Sequence, residues 1–152
     1  MTRTDQPNQH APGHDSSGTQ LLFSRTVGSQ TDAIEVVVQD IMKAVQGNGC
    51  GEAPSAAIEL SLREALANAM IHGNGRNPSK QVAVDCFRQP DCSILLVVRD
   101  EGQGFDLRKV RNPTEPENIY RSGGRGIFLI SHFMDEVEFN DGGREIRMKK
   151  NL

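Results

Sequence analysis

The sequence lacks the features that direct a protein into a membrane or a secretion pathway. No apolar run approaches the roughly 20 residues that a membrane-spanning helix needs. Residues 1–20 also lack the apolar core of a signal peptide. These absences predict a cytoplasmic protein that does not contact a membrane.

A strong excess of one charge and a paired set of cysteines are also missing. The formal net charge is -3, with 20 acidic and 17 basic residues. So small an imbalance gives no reason to expect direct binding to nucleic acid or to an anionic membrane. The cysteines are Cys50, Cys86 and Cys92, an odd number without a CxxC spacing. We therefore predict free thiols in a reducing compartment.

The composition is that of one ordinary globular domain with a polar tail. The chain has 152 residues, of which 36% are hydrophobic and 24% are charged. Residues 1–20 contain almost no aliphatic side chains, so they cannot bury enough surface to offset the loss of chain entropy on folding. We predict a disordered tail over residues 1–20 and one folded domain over residues 21–152.

Alternating and continuous apolar segments predict five strands. Three of them lie at residues 21–27, 81–88 and 92–100, and two more flank an NDGG turn within residues 136–150.

Apolar residues at helical spacing predict three helices. The first is capped by Ser29 or Thr31, the second begins near Pro54 and extends to about residue 72, and the third begins near Gly126. Residues 106–123 are predicted to be a long mobile loop. The order β, α, α, β, β, α, β, β predicts an α+β fold, a two-layer sandwich with a mixed, mainly antiparallel sheet and its helices on one face.

Three groups of polar residues and glycines are candidates for a ligand site, and the first lies in the second helix. Glu64 and Asn68 are four residues apart, so their side chains lie on one helix face and can contact the same ligand. Ala57 and Ser61 flank the pair, which predicts a small and open surface around it. Alone, such a pair is more typical of a solvated helix face.

The second group is the segment RDEGQGFD, residues 99–106, which follows an apolar strand. Gly102 and Gly104 can adopt positive φ and allow the backbone to approach a flat ligand. Asp100 can accept a hydrogen bond from an exocyclic amine. A plain tight turn is the alternative, and alone it is the more common one.

The third group is the segment RSGGRGIFLI, residues 121–130, in which glycines precede an apolar helix. Backbone N–H groups at a helix N-terminus form a phosphate site, and missing side chains give phosphate access to them. Arg121 and Arg125 can add positive charge. A flexible loop before a helix is the alternative.

In this order, the three groups resemble the motifs that hold ATP in the GHKL ATPase superfamily, whose members have the Bergerat, or histidine-kinase-like ATPase, fold. The resemblance covers residues 21–150. The segments LREALANAMIHGN, VRDEGQGFD and RSGGRGIFLISHFMDEVEF are most similar to the bacterial anti-sigma factor serine/threonine-protein kinases.

The resemblance implies a role for each residue of the first two groups. Glu64 corresponds to the general base that takes the proton from a substrate serine, and Asn68 to the ligand of Mg²⁺. Asp100 corresponds to the aspartate that recognises the amino group of adenine, and Gly102 and Gly104 to the lining of the adenine pocket.

For the third group, the resemblance implies contacts with the phosphates. Gly124 and Gly126 correspond to glycines that contact the phosphates, and Arg121 is placed like the arginine that contacts the γ-phosphate. Residues 106–123 would be the lid over ATP.

The resemblance also implies an activity and partners. It implies a kinase that uses ATP and Mg²⁺ to phosphorylate a small STAS-type antagonist protein. As an anti-sigma factor, the same protein would sequester a sigma factor, and it would form a homodimer.

One departure from the family pattern leaves an alternative open. The family usually has a threonine in the last strand that helps to bind adenine, and this chain has Arg144 and Glu145 in that region. The departure favours a nucleotide-gated protein-binding switch of the same fold without kinase activity. The ATP-binding domain of a histidine kinase is a weaker alternative, because residues 1–20 are too short and too polar for the helix pair that carries the phosphorylated histidine. A structural domain without a ligand is the weakest, because all three motifs coincide.

Overall fold

The computed structural model describes residues 18–105 and 124–152, and the predicted elements within them are confirmed. The predicted lid and almost all of the predicted tail lie outside the described residues. The strands are β1 (Gln20–Gly28), β2 (Gln81–Arg88), β3 (Ile94–Arg99), β4 (Glu136–Asn140) and β5 (Glu145–Lys150). The helices are α1 (Ala33–Gln46), α2 (Ser55–Ala67) and α3 (Gly124–Phe133).

The five strands form one sheet in the order β1-β2-β3-β5-β4. All four pairings are antiparallel, whereas the sequence had predicted a mixed, mainly antiparallel sheet. The central strand is β3, and its first five residues, Ile94–Val98, are all buried. Its continuous apolar run therefore reflects burial on both faces of the sheet.

The helices cover one face of the sheet, which makes the fold a two-layer α+β sandwich. The core joins apolar residues of all three helices to alternate residues of β2, β3 and β5, among them Ile41, Leu62, Ile130, Val84, Leu96 and Met148. Helix α2 packs between α1 and α3. This central position brings the polar face of α2 against the beginning of α3.

The opposite face of the sheet carries charged pairs. Arg99 donates from Nη1 to Asp85 Oδ2 at 2.7 Å and from Nε to Glu145 Oε2 at 2.5 Å. These residues occupy neighbouring strands β2, β3 and β5, so one guanidinium links the three central strands across the open face. Within residues 18–105 and 124–152, no helix is both long and apolar enough to cross a membrane.

Helix α1 begins without a side-chain cap, so the predicted cap at Ser29 or Thr31 is wrong. Asp32 occupies the N-cap position and makes no capping hydrogen bond. The hydroxyl of Ser29 instead donates to Lys80 O at 2.9 Å and accepts a hydrogen bond from Asn74 Nδ2 at 2.7 Å. The Ser29 hydroxyl therefore bonds to residues that are distant in sequence, and not to the N-terminus of α1 as the local pattern predicted.

The prediction of free thiols is wrong for two of the three cysteines. Cys50 and Cys92 form a disulfide with a Cα–Cα distance of 5.7 Å, although 42 positions separate them in sequence. Cys50 lies in the loop between α1 and α2, and Cys92 lies in the turn between β2 and β3. Only the folded chain brings the two together, so sequence spacing could not reveal the pair. Cys86 remains a buried free thiol, and burial, assisted by the charge of Asp85, raises its pKa to about 12.

Candidate functional site

Glu64, Asn68 and Gly126 meet where the N-terminus of α3 packs against α2. A Cβ built on Gly126 would lie 2.8 Å from Asn68 Nδ2 and 3.0 Å from Glu64 Oε2. The glycine therefore leaves room for two polar side chains at a helix N-terminus. The surface is not open as predicted, because Ser61 on the same face is fully buried.

Helix α2 continues beyond Ala67 as a single π-helical segment, Asn68–Gly73. Such segments are rare and often occur at functional sites. The widened turn begins at Asn68 and delivers its last residue, Gly73, to the end of β3. It therefore connects the first and second groups of residues.

The second group forms a tight junction between the π-helical segment and the glycine loop, which we define as residues 100–105. A Cβ on Gly73 would collide with the Asp100 carboxylate, and a Cβ on Gly102 would collide with the carbonyl oxygen of Gly73. Gly104 has the predicted positive φ, at 75°, whereas Gly102 does not. Gly102 is therefore required for close approach of two backbones, not for an unusual φ.

Asp100 is a half-buried carboxylate with donors on one side. The Gly102 N–H donates to Asp100 Oδ1 at 2.8 Å. Burial raises the pKa of Asp100, and this effect outweighs the opposite effects of the Gly102 N–H and of the positive charges of Arg144 and Lys80. The carboxylate can accept a further hydrogen bond from a ligand, as recognition of an amine requires.

Asn74 supports this junction, although no pattern in the sequence predicted a role for it. Its side chain is buried, and Nδ2 donates to Gln81 O at 2.9 Å as well as to Ser29. The Glu101 N–H donates to Asn74 Oδ1 at 2.8 Å. One amide thus fixes the end of the π-helical segment to β2 and to the residue after Asp100. Asn74 directly follows His72 and Gly73 in the segment LREALANAMIHGN, and this position was the sequence signal that could have identified it.

Arg144 and Glu145, the departures from the family pattern, lie in different places. The Glu145 side chain pairs with Arg99 on the open face of the sheet and takes no part in the site. The Arg144 side chain reaches the glycine loop, where Nε donates to Gly102 O at 2.8 Å. Only Arg144 therefore bears on the candidate site.

The third group is described only in part. Gly124 is the first residue of α3, and Gly126 is buried against α2. Arg121 lies outside the described residues, so its predicted contact with the γ-phosphate stays a prediction.

The donors present fit a nucleotide with Mg²⁺ better than a metal held by protein side chains alone. No group of three or more His, Cys, Asp or Glu residues that could hold a metal occurs in the described part of the chain. Mg²⁺ usually takes one or two protein oxygens and completes its shell with phosphates and water. The Asn68 amide oxygen, beside the space that Gly126 leaves at a helix N-terminus, suits that arrangement.

Comparisons with known proteins identify the fold and the family of this chain. Residues 27–150 match the family model described as "Histidine kinase-like ATPase domain". The histidine kinase domain of the blue-light activated histidine kinase from Erythrobacter litoralis EL346 has a similar structure, with a TM-score of 0.52 at 19% identity. The similarity covers 78% of this chain and 61% of that one. At this identity, the similarity shows the fold alone.

Two curated relatives are similar in sequence. An "Anti-sigma F factor" from Heyndrickxia coagulans is 38% identical over 96 residues, which are 59% of this chain and 64% of that protein. A "Serine-protein kinase RsbW" from Oceanobacillus iheyensis is 32% identical over 102 residues, which are 62% of this chain and 64% of that protein. The chain thus spans just under two thirds of the length of either relative. Because the family model covers most of the chain, the chain belongs to the histidine kinase-like ATPase domain family.

Proposed function

We propose that this protein is an ATP-dependent protein serine kinase that also acts as an anti-sigma factor. One observation carries the proposal: Glu64 Oε2 and the Asn68 amide converge on the space above Gly126, at the N-terminus of α3. A base, an oxygen ligand for Mg²⁺ and a phosphate-binding helix terminus are the parts that phosphoryl transfer to a hydroxyl needs.

In the proposed reaction, the oxygen of a substrate serine attacks the γ-phosphorus of ATP. Glu64 accepts the serine proton, the bond between the γ-phosphorus and its bridging oxygen breaks, and ADP leaves. Asn68 would hold Mg²⁺, which when bound would supply positive charge against the phosphates. Asp100 holds the amino group of adenine, with Gly102 and Gly104 beside the base. Gly124 and Gly126 leave the N–H groups of α3 open to the phosphates, and Arg121 would add charge at the γ-phosphate.

The names of the two relatives support the partners that we propose. The first name supports binding of a sigma factor, and the second supports phosphorylation of a protein serine. We propose in addition that the phosphorylated protein is a small STAS-type antagonist and that the chain acts in the cytoplasm as a homodimer. Phosphorylation adds a charge of about -1.5 to -2 to the antagonist, which would weaken its binding to the kinase.

The test is transfer of labelled γ-phosphate from ATP to a purified STAS-domain antagonist protein from the same genome. Glu64→Gln should lower the rate by about 10² to 10⁴-fold, the usual contribution of a general base, while binding of MgATP persists. Asn68→Ala should weaken binding of ATP in the presence of Mg²⁺ and leave binding without Mg²⁺ unchanged.

Glu59→Gln is a matched control on the same helix. Glu59 pairs with Arg63 at 2.7 Å, away from Gly126, and its side chain is 43% exposed. It should transfer phosphate at the wild-type rate. A Glu64→Gln variant that retains full transfer would exclude Glu64 as the base. If that variant releases and captures the sigma factor normally in cells, the alternative of a nucleotide-gated switch without kinase activity replaces the kinase.

A further inference from the structure

The glycine loop lies along the turn between β4 and β5. The Asp100 N–H donates to Arg144 O at 2.9 Å, and the Phe105 N–H donates to Gly142 O at 2.9 Å. The ring of Phe105 packs edge-on against Phe139 at 5.3 Å between centroids. Both ends of the loop are therefore fixed to the β4–β5 turn by the backbone, which leaves its middle to be held by side chains.

The Arg144 guanidinium holds the middle of the loop. Its Nε donates to Gly102 O at 2.8 Å, and its Nη2 lies 3.4 Å from Gln103 O. Its Nη1 donates to Asp141 O at 3.0 Å, within the turn. One side chain thus bridges the turn and the loop with donors on all three nitrogens, a geometry that only arginine offers.

We propose that Arg144 is the residue that positions the glycine loop for recognition of the base, in place of the threonine that the family usually has in this region. The proposal rests on the proposed function, because it assumes that Asp100 binds the amino group of adenine. It assigns to Arg144 a role in nucleotide affinity and none in phosphoryl transfer.

Gly102 connects the Arg144 guanidinium to the Asp100 carboxylate through two hydrogen bonds. Its carbonyl accepts from Arg144, and its N–H donates to Asp100 Oδ1 at 2.8 Å. Gly73 packs against both Gly102 and Asp100, so a shift of Gly102 cannot leave the carboxylate in place.

Arg144 acts on Asp100 through its positive charge as well as through its hydrogen bonds to the glycine loop. The groups whose charges act on Asp100 are Arg144, Lys80 and Asp141. Arg144 and Lys80 lower the pKa of Asp100, whereas Asp141 and burial raise it. Loss of the Arg144 charge should therefore raise the pKa of Asp100 further, so that the ionised acceptor is lost at a higher pH than in wild type.

The experiment measures the Kd of ATP by calorimetry over pH 5 to 8 for the full chain and three variants. Arg144→Gln should weaken ATP binding about tenfold, equivalent to 1.4 kcal/mol. It should also raise the pH limit, which is the pH below which ATP binding is lost. Comparison with wild type at each pH cancels the titration of the nucleotide itself. Arg144→Lys keeps the charge and should recover the pH limit but only part of the affinity.

Arg147→Gln is the matched control. Arg147 lies on β5, pairs with Glu145 at 3.7 Å on the open face, and is 38% exposed against 37% for Arg144. It should bind ATP as wild type does. Equal or tighter binding by Arg144→Gln would overturn the proposal, and tighter binding would mean that Arg144 obstructs the pocket. Weaker binding with an unmoved pH limit and no rescue by lysine would reduce Arg144 to a merely structural role. Failure of wild type to bind ATP would instead refute the proposed function itself.

Discussion

Removal of the Cys50–Cys92 disulfide should lower the free energy of unfolding substantially. The bridge closes a loop between residues 42 positions apart. Loop-closure entropy gives about 3 kcal/mol for 15 residues and about 4.7 kcal/mol for 100, so about 4 kcal/mol is expected here. For a domain of this size, that loss corresponds to a fall in Tm of roughly 10–15 °C.

The assay is thermal and urea unfolding of wild type and Cys50→Ser, each with and without a dithiol reductant. Reductant should lower the stability of wild type to that of the variant and leave the variant unchanged. The free energy of unfolding should fall by up to about 1 kcal/mol less in Cys92→Gly than in Cys50→Ser. The reason is that Cys92 has a φ of 65°, which glycine adopts without strain.

A second measurement separates stability from function. The disulfide lies at the start of β3 and Asp100 at its end, six strand residues away or about 20 Å. Reduction should therefore leave the Kd of ATP unchanged at temperatures where the protein stays folded. Equal destabilisation of wild type and Cys50→Ser by reductant would exclude a stabilising role for the disulfide. Three reactive thiols instead of one in the unreduced, unfolded chain would show that the disulfide does not form.

Three further predictions concern the candidate site. Gly126→Ala should abolish binding of MgATP with little change in Tm, because the new methyl group crowds Asn68 while alanine favours the helix by about 1 kcal/mol; calorimetry and thermal unfolding measure the two effects. Gly102→Ala should cost about 1–3 kcal/mol in urea unfolding, because its Cβ meets the carbonyl of Gly73. Asp100→Asn should abolish ATP binding and should gain stability relative to wild type as pH rises through the folded-state pKa of Asp100. Burial raises the pKa of Asp100, so the protonated form favours the folded state, and this contribution is lost as pH rises through the folded-state pKa.

Gly47→Ala is the control for both glycine variants. Its nearest neighbour would lie 3.6 Å from the new Cβ, an ordinary contact, and its φ is negative at -87°. It should unfold and bind ATP like wild type. Tight MgATP binding by Gly126→Ala would refute the assignment of the phosphate site. A stability difference between wild type and Asp100→Asn that does not change with pH would contradict the buried, perturbed carboxylate.

The element order was predictable because the signals are local. Alternation in QVAVDCFR and the run ILLVV identified β2 and β3 to within two residues of their observed bounds. The helical spacing of Glu64 and Asn68 placed both on one face, and that face does meet α3. The α1 cap failed because Ser29 has a better partner in Lys80, which lies far along the chain.

The sequence by itself determined the order of strands and helices and three groups of candidate residues, because periodicity and short spacings are properties of neighbouring residues. The tertiary structure decided which of these groups meet and at what distance. Only the packed chain places Gly102 against Gly73, Arg144 on the glycine loop, and Cys50 beside Cys92. Each of those contacts joins residues 29 to 42 positions apart, and spacing along a chain carries no information about contacts that the burial of a shared core creates.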